Sequence, residues 1–293
     1  MDVLAEIQRA WADHGDHPAA VLERRPALAD AASTPEQVVR LSGFLVHFVG
    51  EERADWAEVA ALLAHAMVGV PEGPDLAPAL TDLYVARLLS GQTAAALEAQ
   101  TRLLAHGGAA PVAHLARGAL LYGVSARKAD PDATALLEAA LDLADSFTAP
   151  TPADRGVAVL LNNFASDLLT RQRHTDTDRL LRRAAKTSLT FWKRAGTWVN
   201  EERALYLNAL AHRHLAEAGD ALAAARAGLA VIAAHGAEPV DPAFLPLVEA
   251  AALRDMDPPE HEAARAAADT LAAAFDDEGL RSWYADERAK AFA

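Results

Sequence analysis

Histidine and aspartate, residue types that commonly bind metal ions, are crowded into the segment Asp13-His14-Gly15-Asp16-His17. The segment falls in a predicted turn between two helices, where aspartate is a frequent helix cap, and we therefore predict no metal site there. In His212-Arg213-His214 the two histidines lie on different faces of a predicted helix, which is unsuited to joint ligation. His47 and His65 lie on apolar helical stretches and are predicted to be core residues.

Sequence motifs of the common enzyme classes are absent from the chain. It has no nucleophile elbow (Gly-x-Ser-x-Gly), P-loop, dinucleotide-binding glycine motif, His-Glu-x-x-His motif or EF-hand loop. It also has no cysteine, which excludes a thiol nucleophile, a disulfide framework and Cys-ligated zinc. We therefore predict no catalytic residues and no cofactor.

Positive charge is concentrated between residues 171 and 194, where eight basic residues face two aspartates, a net charge of +6 in a chain whose total is −14. Arg179, Arg182, Arg183 and Lys186 are three or four residues apart and lie on one side of a predicted helix. We interpret this basic strip either as a solvated face neutralised by acidic neighbouring helices, or as a docking strip for an acidic peptide, phosphate or nucleic acid.

Polar side chains interrupt the apolar pattern of the helices on either side of the basic strip. Asparagine is a poor residue for a helix interior, so its recurrence there favours a purpose such as hydrogen bonding to a bound backbone. The alternative is that these side chains satisfy buried helix ends or lie in solvent. Together with two residues of the strip, the candidate peptide-binding residues are Asn162, Asn163, Ser166, Arg182, Lys186, Trp198, Asn200, Arg203, Asn208 and His212.

The elements that must position these residues are helices. The 293 residues include 72 alanines and 40 leucines but only two isoleucines, a composition that favours helix over strand. Glycine and proline breaks divide the chain into fourteen predicted helices, arranged as seven hairpins. The first helices of the hairpins are predicted near 2–14, 35–49, 74–90, 111–127, 152–173, 197–218 and 242–256, and their partners near 17–31, 53–69, 92–107, 132–148, 176–195, 220–236 and 259–275.

The breaks recur with a fixed spacing. A glycine, an alanine five residues later and a proline twenty residues after the glycine occur at 15–35, 91–111 and 219–239. The spacing predicts that the glycine forms the turn within a hairpin, that the small alanine allows close helix packing, and that the proline ends the second helix. Thr34-Pro35 followed by Gln37 predicts a helix start with Thr34 as N-cap.

This pattern resembles the tetratricopeptide repeat (TPR) family, in which the turn glycine corresponds to Gly91 and Gly219, the small packing residue to Ala96 and Ala224, and the closing proline to Pro111 and Pro239. The helices here are about a turn longer than in the family's 34-residue repeat. The resemblance implies an all-α, right-handed superhelix (solenoid) of about seven antiparallel hairpins, forming one domain over 1–293 with a capping tail at 276–293. It also implies that peptides or protein segments bind on the concave surface.

Charge and hydropathy limit the partners. A net charge of −14 disfavours binding of nucleic acid by the whole protein. The longest stretch without charged residues, 103–116, is too short to span a bilayer. With an N-terminus unlike a secretory signal, we predict a soluble, cytoplasmic protein without membrane association.

The sequence therefore predicts a non-enzymatic scaffold that binds a protein or peptide segment in a groove formed by residues 155–215. If the basic strip is a docking surface, that segment is acidic. The alternative is a regulatory domain that senses a small molecule bound near Trp192, Trp198 and Tyr206. A third alternative is an all-α enzyme.

Overall fold

The structure is a computed structural model that describes residues 1–130, 133–236, 239–254 and 256–292. These residues form fifteen α-helices, one π-helix and one short 3-10 helix, and contain no strand, which confirms the predicted all-α class. The chain divides into two compact units, Met1–Ala153 and Asp154–Ala293. A single continuous domain over 1–293 stays a prediction.

The first unit contains eight α-helices. Its helices pack as successive neighbours, and α3, α5 and α7, the first helices of three hairpins, also contact one another in sequence. The elements are α1 (Val3–Asp13), α2 (Pro18–Ala31), α3 (Pro35–Leu45), a π-helix (Val46–Glu51), α4 (Trp56–Ala66), a 3-10 helix (Pro74–Leu76), α5 (Ala77–Leu89), α6 (Thr93–Leu104), α7 (Ala109–Ala129) and α8 (Thr134–Asp145).

The second unit contains seven α-helices in the same arrangement. The pairs α9/α10, α11/α12 and α13/α14 form hairpins, and the first helices α9, α11 and α13 contact one another in order, as expected when helical hairpins stack. The last helix, α15, packs against α13. The helices are α9 (Asp154–Leu169), α10 (Thr175–Ala195), α11 (Trp198–His214), α12 (Ala218–His235), α13 (Asp241–Leu253), α14 (Pro258–Ala272) and α15 (Glu278–Phe292).

The start of α3 shows how the sequence specifies a helix boundary. The Thr34 hydroxyl accepts a hydrogen bond from the backbone N–H of Gln37 (3.3 Å), and Pro35 occupies the first helical position, where a missing N–H costs nothing. The side chain of Gln37 accepts from the backbone N–H of Ser33 (2.9 Å). The predicted N-cap is therefore confirmed. In a capping box the Gln37 side chain would accept from the backbone N–H of Thr34 itself, whereas here it accepts from that of the preceding residue, Ser33.

The predicted turn glycine and packing alanine are confirmed in one hairpin, but its closing proline, Pro111, lies inside α7 and does not end α6. Gly91 has a φ of +77° in the turn between α5 and α6, and Ala96 is fully buried between helices. Gly219 instead lies inside α12, and the left-handed residue of that turn is Ala216 (φ 60°). Ala20 is exposed. The prediction failed at these positions because a tight turn can take its left-handed residue at several places, and alanine is common on every face of these helices.

Close approach of α7 and α8 depends on Gly123. A Cβ atom there would lie 2.9 Å from the backbone Cα of Leu137, which cannot move without shifting α8. We expect Gly123→Ala to lower the free energy of unfolding by about 1–3 kcal/mol through overpacking, as measured by urea titration.

Gly43, in α3, supplies the matched control, because a Cβ there would meet nothing within 4 Å. Gly43→Ala is expected to raise the free energy of unfolding by up to about 1 kcal/mol through helix propensity alone. Equal effects of the two substitutions would contradict the packing argument.

The core of the second unit is centred on aromatic residues of α13 and α15. Phe244 is fully buried and contacts the rings of Phe275, Trp283 and Tyr284 at centroid distances of 6.2, 4.2 and 5.6 Å. Tyr206 of α11 packs against the same cluster. This cluster fixes α15 beside α11 and α13. No helix in the described part of the chain is both long enough and apolar enough to cross a membrane.

Candidate functional site

A groove of about 820 Å³ lies within the second unit, where α9, α11, the start of α13 and α15 converge. Its floor and walls combine apolar side chains with charged and amide groups, as ligand-binding clefts usually do. We call it the α9–α15 groove. Its lining residues are Asn162, Ser166, Leu169, Thr170, Arg203, Tyr206, Leu207, Leu210, Arg213, His214, Val240, Asp241, Trp283, Glu287 and Lys290.

Helical periodicity presents the polar residues of α9 to the groove. The apolar stripe of α9, which includes Leu161, Phe164 and Leu168, is buried. Asn162 and Ser166, four residues apart, lie on a different face and line the groove. The Ser166 hydroxyl donates to the backbone oxygen of Asn162 (2.9 Å). The amide of Asn162 has no hydrogen-bond partner among the residues that the structure describes, and is available to a ligand.

Positive charge predominates in the groove. Arg203 Nε donates to Asp241 Oδ2 (3.1 Å), and Lys290 Nζ donates to Glu287 Oε1 (2.7 Å). Arg213 makes no ion pair with any described residue. With two of the three cations paired inside the groove, the guanidinium of Arg213 is the group that can bind an incoming carboxylate.

Two neutral groups complete the polar lining. Burial raises the pKa of Tyr206, with nearby Glu287 adding to the effect, so that its hydroxyl stays protonated and can donate. Burial, followed by the charge of Arg173, lowers the pKa of His214. The Nε2 atom of His214 is buried without a hydrogen-bond partner among the described residues. The groove thus offers neutral polar groups and one cation, Arg213, that has no ion-pair partner in the described part of the chain.

Three of the ten residues predicted from the sequence line the groove: Asn162, Ser166 and Arg203. They come from adjacent first helices, α9 and α11, as the prediction required. The remaining seven lie elsewhere, and most of them have structural roles that the structure explains.

Asn208, Asn200 and Trp198 hold helices in place. Asn208 is buried, and its Nδ2 donates to the backbone oxygens of Ala185 (2.9 Å) and Ala204 (2.8 Å). Asn200 caps the start of α11 by accepting from the backbone N–H of Thr197 (3.0 Å). Trp198 stacks on His235 of α12. Asn200 therefore satisfies a helix end, as the alternative interpretation stated, whereas Asn208 bonds carbonyls in the interiors of α10 and α11.

The other four predicted residues lie outside the groove. Arg182 and His212 both contact the carboxylate of Glu217, with His212 Nδ1 at 2.7 Å from Oε2, and these two partners lower the pKa of Glu217. Asn163 and Lys186 are exposed and line no part of the groove. Asn162 therefore lines the groove, whereas Asn163, Asn208 and the residues of the basic strip do not.

Most of the basic strip is paired with carboxylates. Arg171 pairs with Asp167, Arg173 with Asp178, Arg182 with Glu217, and Lys193 lies 3.5 Å from Glu201. Arg179 pairs with Asp176 (2.9 Å). The geometry favours the first interpretation of the strip, a face neutralised by neighbouring acidic residues.

Several groove residues were missed by sequence reasoning. Arg213 lies within the His212-Arg213-His214 segment that was considered only for metal binding. Trp283, Glu287 and Lys290 belong to α15, whose apolar residues were interpreted as a terminal cap. In the structure, Trp283 remains 42% exposed although it packs on Phe244. Of the residues proposed for a small-molecule site, Trp192 is buried and only Tyr206 lines the groove.

The fold and the groove together define the class of protein: an all-α protein of stacked helical hairpins with a mixed polar and apolar groove along its first helices. Comparison of the chain with protein-family models, with curated proteins and with solved structures finds no match. The assignment of a function therefore depends on the groove itself.

Proposed function

We propose that the protein is a non-enzymatic scaffold that binds a peptide or protein segment in the α9–α15 groove. One observation carries the proposal: the groove is lined by the guanidinium of Arg213 and the amide of Asn162, neither of which has a partner among the described residues, together with several leucines. An extended peptide offers groups that match each of these. Its carboxylate would pair with Arg213, its backbone would bond to Asn162, and apolar side chains would contact Leu207 and Leu210.

The net charge of the groove indicates which ligands it attracts. The three cations of the groove exceed its two carboxylates, Asp241 and Glu287, so that an anionic segment is attracted and a basic one is repelled. The exposed indole of Trp283 adds the kind of rigid aromatic surface that often anchors a bound segment. We therefore propose a peptide with an acidic side chain or a free terminal carboxylate. The resemblance to the TPR family supports this type of ligand, and membership of that family and a cytoplasmic location stay predictions.

The test starts from the purified chain and a displayed library of random peptides of about ten residues with free C-terminal carboxylates. Selected peptides are expected to be acidic. Their affinity, measured by fluorescence polarisation, should fall about 10- to 100-fold in Arg213→Glu, because a hydrogen bond to a charged group contributes about 1.5–3 kcal/mol. Asn162→Ala should weaken binding by about 10-fold or less, since its amide bonds are neutral.

Lys186→Glu is the matched control. Lys186 is an exposed cation of the same unit that lies outside the groove, and reversing its charge should change the affinity by less than about twofold, as expected for a screened surface charge. Loss of binding in Lys186→Glu with retention in Arg213→Glu would place the ligand on the basic strip and overturn the groove assignment.

A small molecule in the same groove is the second candidate, favoured by a volume of about 820 Å³, which lies in the range of small-ligand sites. A thermal-shift screen of metabolites distinguishes the small-molecule candidate from the peptide candidate. A stabilising compound whose effect disappears in Arg213→Glu, with no peptide selected from the library, would favour the second candidate.

A further inference from the structure

A π-helix in the first unit brings His47 and Glu52 together. The backbone N–H of Glu52 donates to the carbonyl oxygen of His47 (3.1 Å), five residues earlier, which is the π-helical pattern and is often found at functional sites. The π-helix packs closely against α4, because a Cβ on Gly50 would lie 2.6 Å from the ring of Trp56. In an α-helix, residues five apart lie on different faces. The π-turn brings them to one side.

His14 reaches the same place from the end of α1, where it is the C-cap residue. Its Nε2 lies 3.7 Å from Glu52 Oε1, and His47 Nε2 lies 3.1 Å from the same oxygen. One ligand atom from each of the three side chains lies within 4.8 Å of the others. Tetrahedral zinc with bonds of about 2.0–2.1 Å holds its ligand atoms about 3.3 Å apart. Small rotations of the three side chains would therefore bring their ligand atoms to the distances of a tetrahedral zinc site.

Hydrogen bonding on the far side orients the two rings for ligation. His14 Nδ1 lies 2.7 Å from the carbonyl oxygen of Trp11; because a carbonyl can only accept, this nitrogen carries the proton. His47 Nδ1 lies 3.5 Å from Glu51 Oε2. With a proton on Nδ1 of each ring, both Nε2 atoms would present lone pairs to an ion held beside Glu52. An imidazole held by a carbonyl or carboxylate is the arrangement that protein zinc sites use.

Charge and access favour a cation. The carboxylates of Glu51 and Glu52 lie 3.5 and 3.1 Å from the two ring nitrogens of His47, so negative charge surrounds the place where a cation would bind. The side chains of His14, His47 and Glu52 are 23%, 29% and 41% exposed, which leaves a path for a hydrated ion.

We propose that His14 Nε2, His47 Nε2 and Glu52 Oε1 bind one Zn²⁺, with water in the remaining position. Imidazole and carboxylate ligands suit zinc and neighbouring transition metals better than calcium or magnesium. A second group of potential ligands, His212, Glu217 and Asp220, is less suited, because Glu217 is already paired with Arg182.

The test uses the full chain, stripped with EDTA and titrated with ZnCl₂ by calorimetry. One equivalent is expected to bind, and Co²⁺ in place of zinc should give the visible absorption of a low-symmetry site. Trp11 reports independently, since its ring stacks on His47 (5.0 Å) and meets His14 edge-on (5.7 Å). Its emission should change at the same equivalence point.

Variants distinguish ligands from neighbours. His47→Ala and Glu52→Gln are expected to weaken zinc binding by at least about 100-fold, and Glu51→Gln, a positioning residue, by about 10-fold. His17→Ala, which removes an exposed histidine of the same turn, should bind zinc like wild type. Circular dichroism in EDTA checks that each variant is folded. Because Glu52 is exposed, Glu52→Gln is expected to fold and tests the site even if His47→Ala is unstable.

Three results would overturn the proposal: no saturable binding of zinc by the wild-type chain, unchanged affinity in both His47→Ala and Glu52→Gln, or loss of binding in His212→Ala alone.

Discussion

Replacing Phe244 by alanine is expected to lower the free energy of unfolding by about 3–5 kcal/mol, the cost of removing a large aromatic side chain from a packed core. Phe244 is fully buried, and four rings pack around it: Tyr206, Phe275, Trp283 and Tyr284. Because these rings belong to different elements, they cannot all move to fill the space. Urea titration followed by tryptophan fluorescence measures the loss.

The same substitution should also affect the α9–α15 groove, since Tyr206 and Trp283 line it and both contact Phe244. Phe244→Leu, which retains most of the apolar volume, is expected to be less damaging than Phe244→Ala. Leu271→Ala is the control in the same unit: this side chain is 44% exposed, and its removal should cost less than about 1 kcal/mol. A loss below about 1 kcal/mol in Phe244→Ala would show that the aromatic cluster does not stabilise the unit.

Asp82→Leu is the second substitution with a large expected effect, a loss of about 3–5 kcal/mol in the free energy of unfolding. Asp82 is only 3% exposed. Its carboxylate accepts from Arg117 Nη2 (2.5 Å) and from the hydroxyl of Ser42 (2.8 Å), and so joins α3, α5 and α7. Removing the carboxylate leaves the guanidinium of Arg117, itself 14% exposed, without its counter-charge.

A double-mutant cycle tests whether the lost stability reflects the orphaned charge. Arg117→Met alone should also be destabilising, because it leaves Asp82 buried and unpaired, whereas Asp82→Leu/Arg117→Met should be more stable than either single variant. Glu72→Ala breaks the exposed Arg102–Glu72 pair (2.7 Å) and should cost less than about 1 kcal/mol. Additive losses in the double variant would contradict the argument.

The amino-acid sequence by itself determined the helices. Alanine and leucine content excluded a sheet, glycine and proline breaks located fourteen helices within a few residues of their observed ends, and the Thr34-Pro35 start was specified by side chains next to it in the chain. These features depend on contacts within one or two turns, which is why one sequence is sufficient to predict them.

Tertiary structure decided which polar side chains meet. Asn208 and Asn162 are the same residue type on equivalent first helices, yet Asn208 is buried against Ala185 and Asn162 lines a groove. The difference depends on how each helix is rotated about its axis when it packs, and the sequence pattern does not determine that rotation precisely enough.

Contacts between distant segments could not be predicted from the sequence for the same reason. Arg213 and Trp283 line one groove only because Phe244 fixes α15 beside α11. Glu52 meets His47 only because a π-turn changes the helical register between them. The local pattern therefore specified each helix, and the packing of helices against one another decided the composition of both proposed sites.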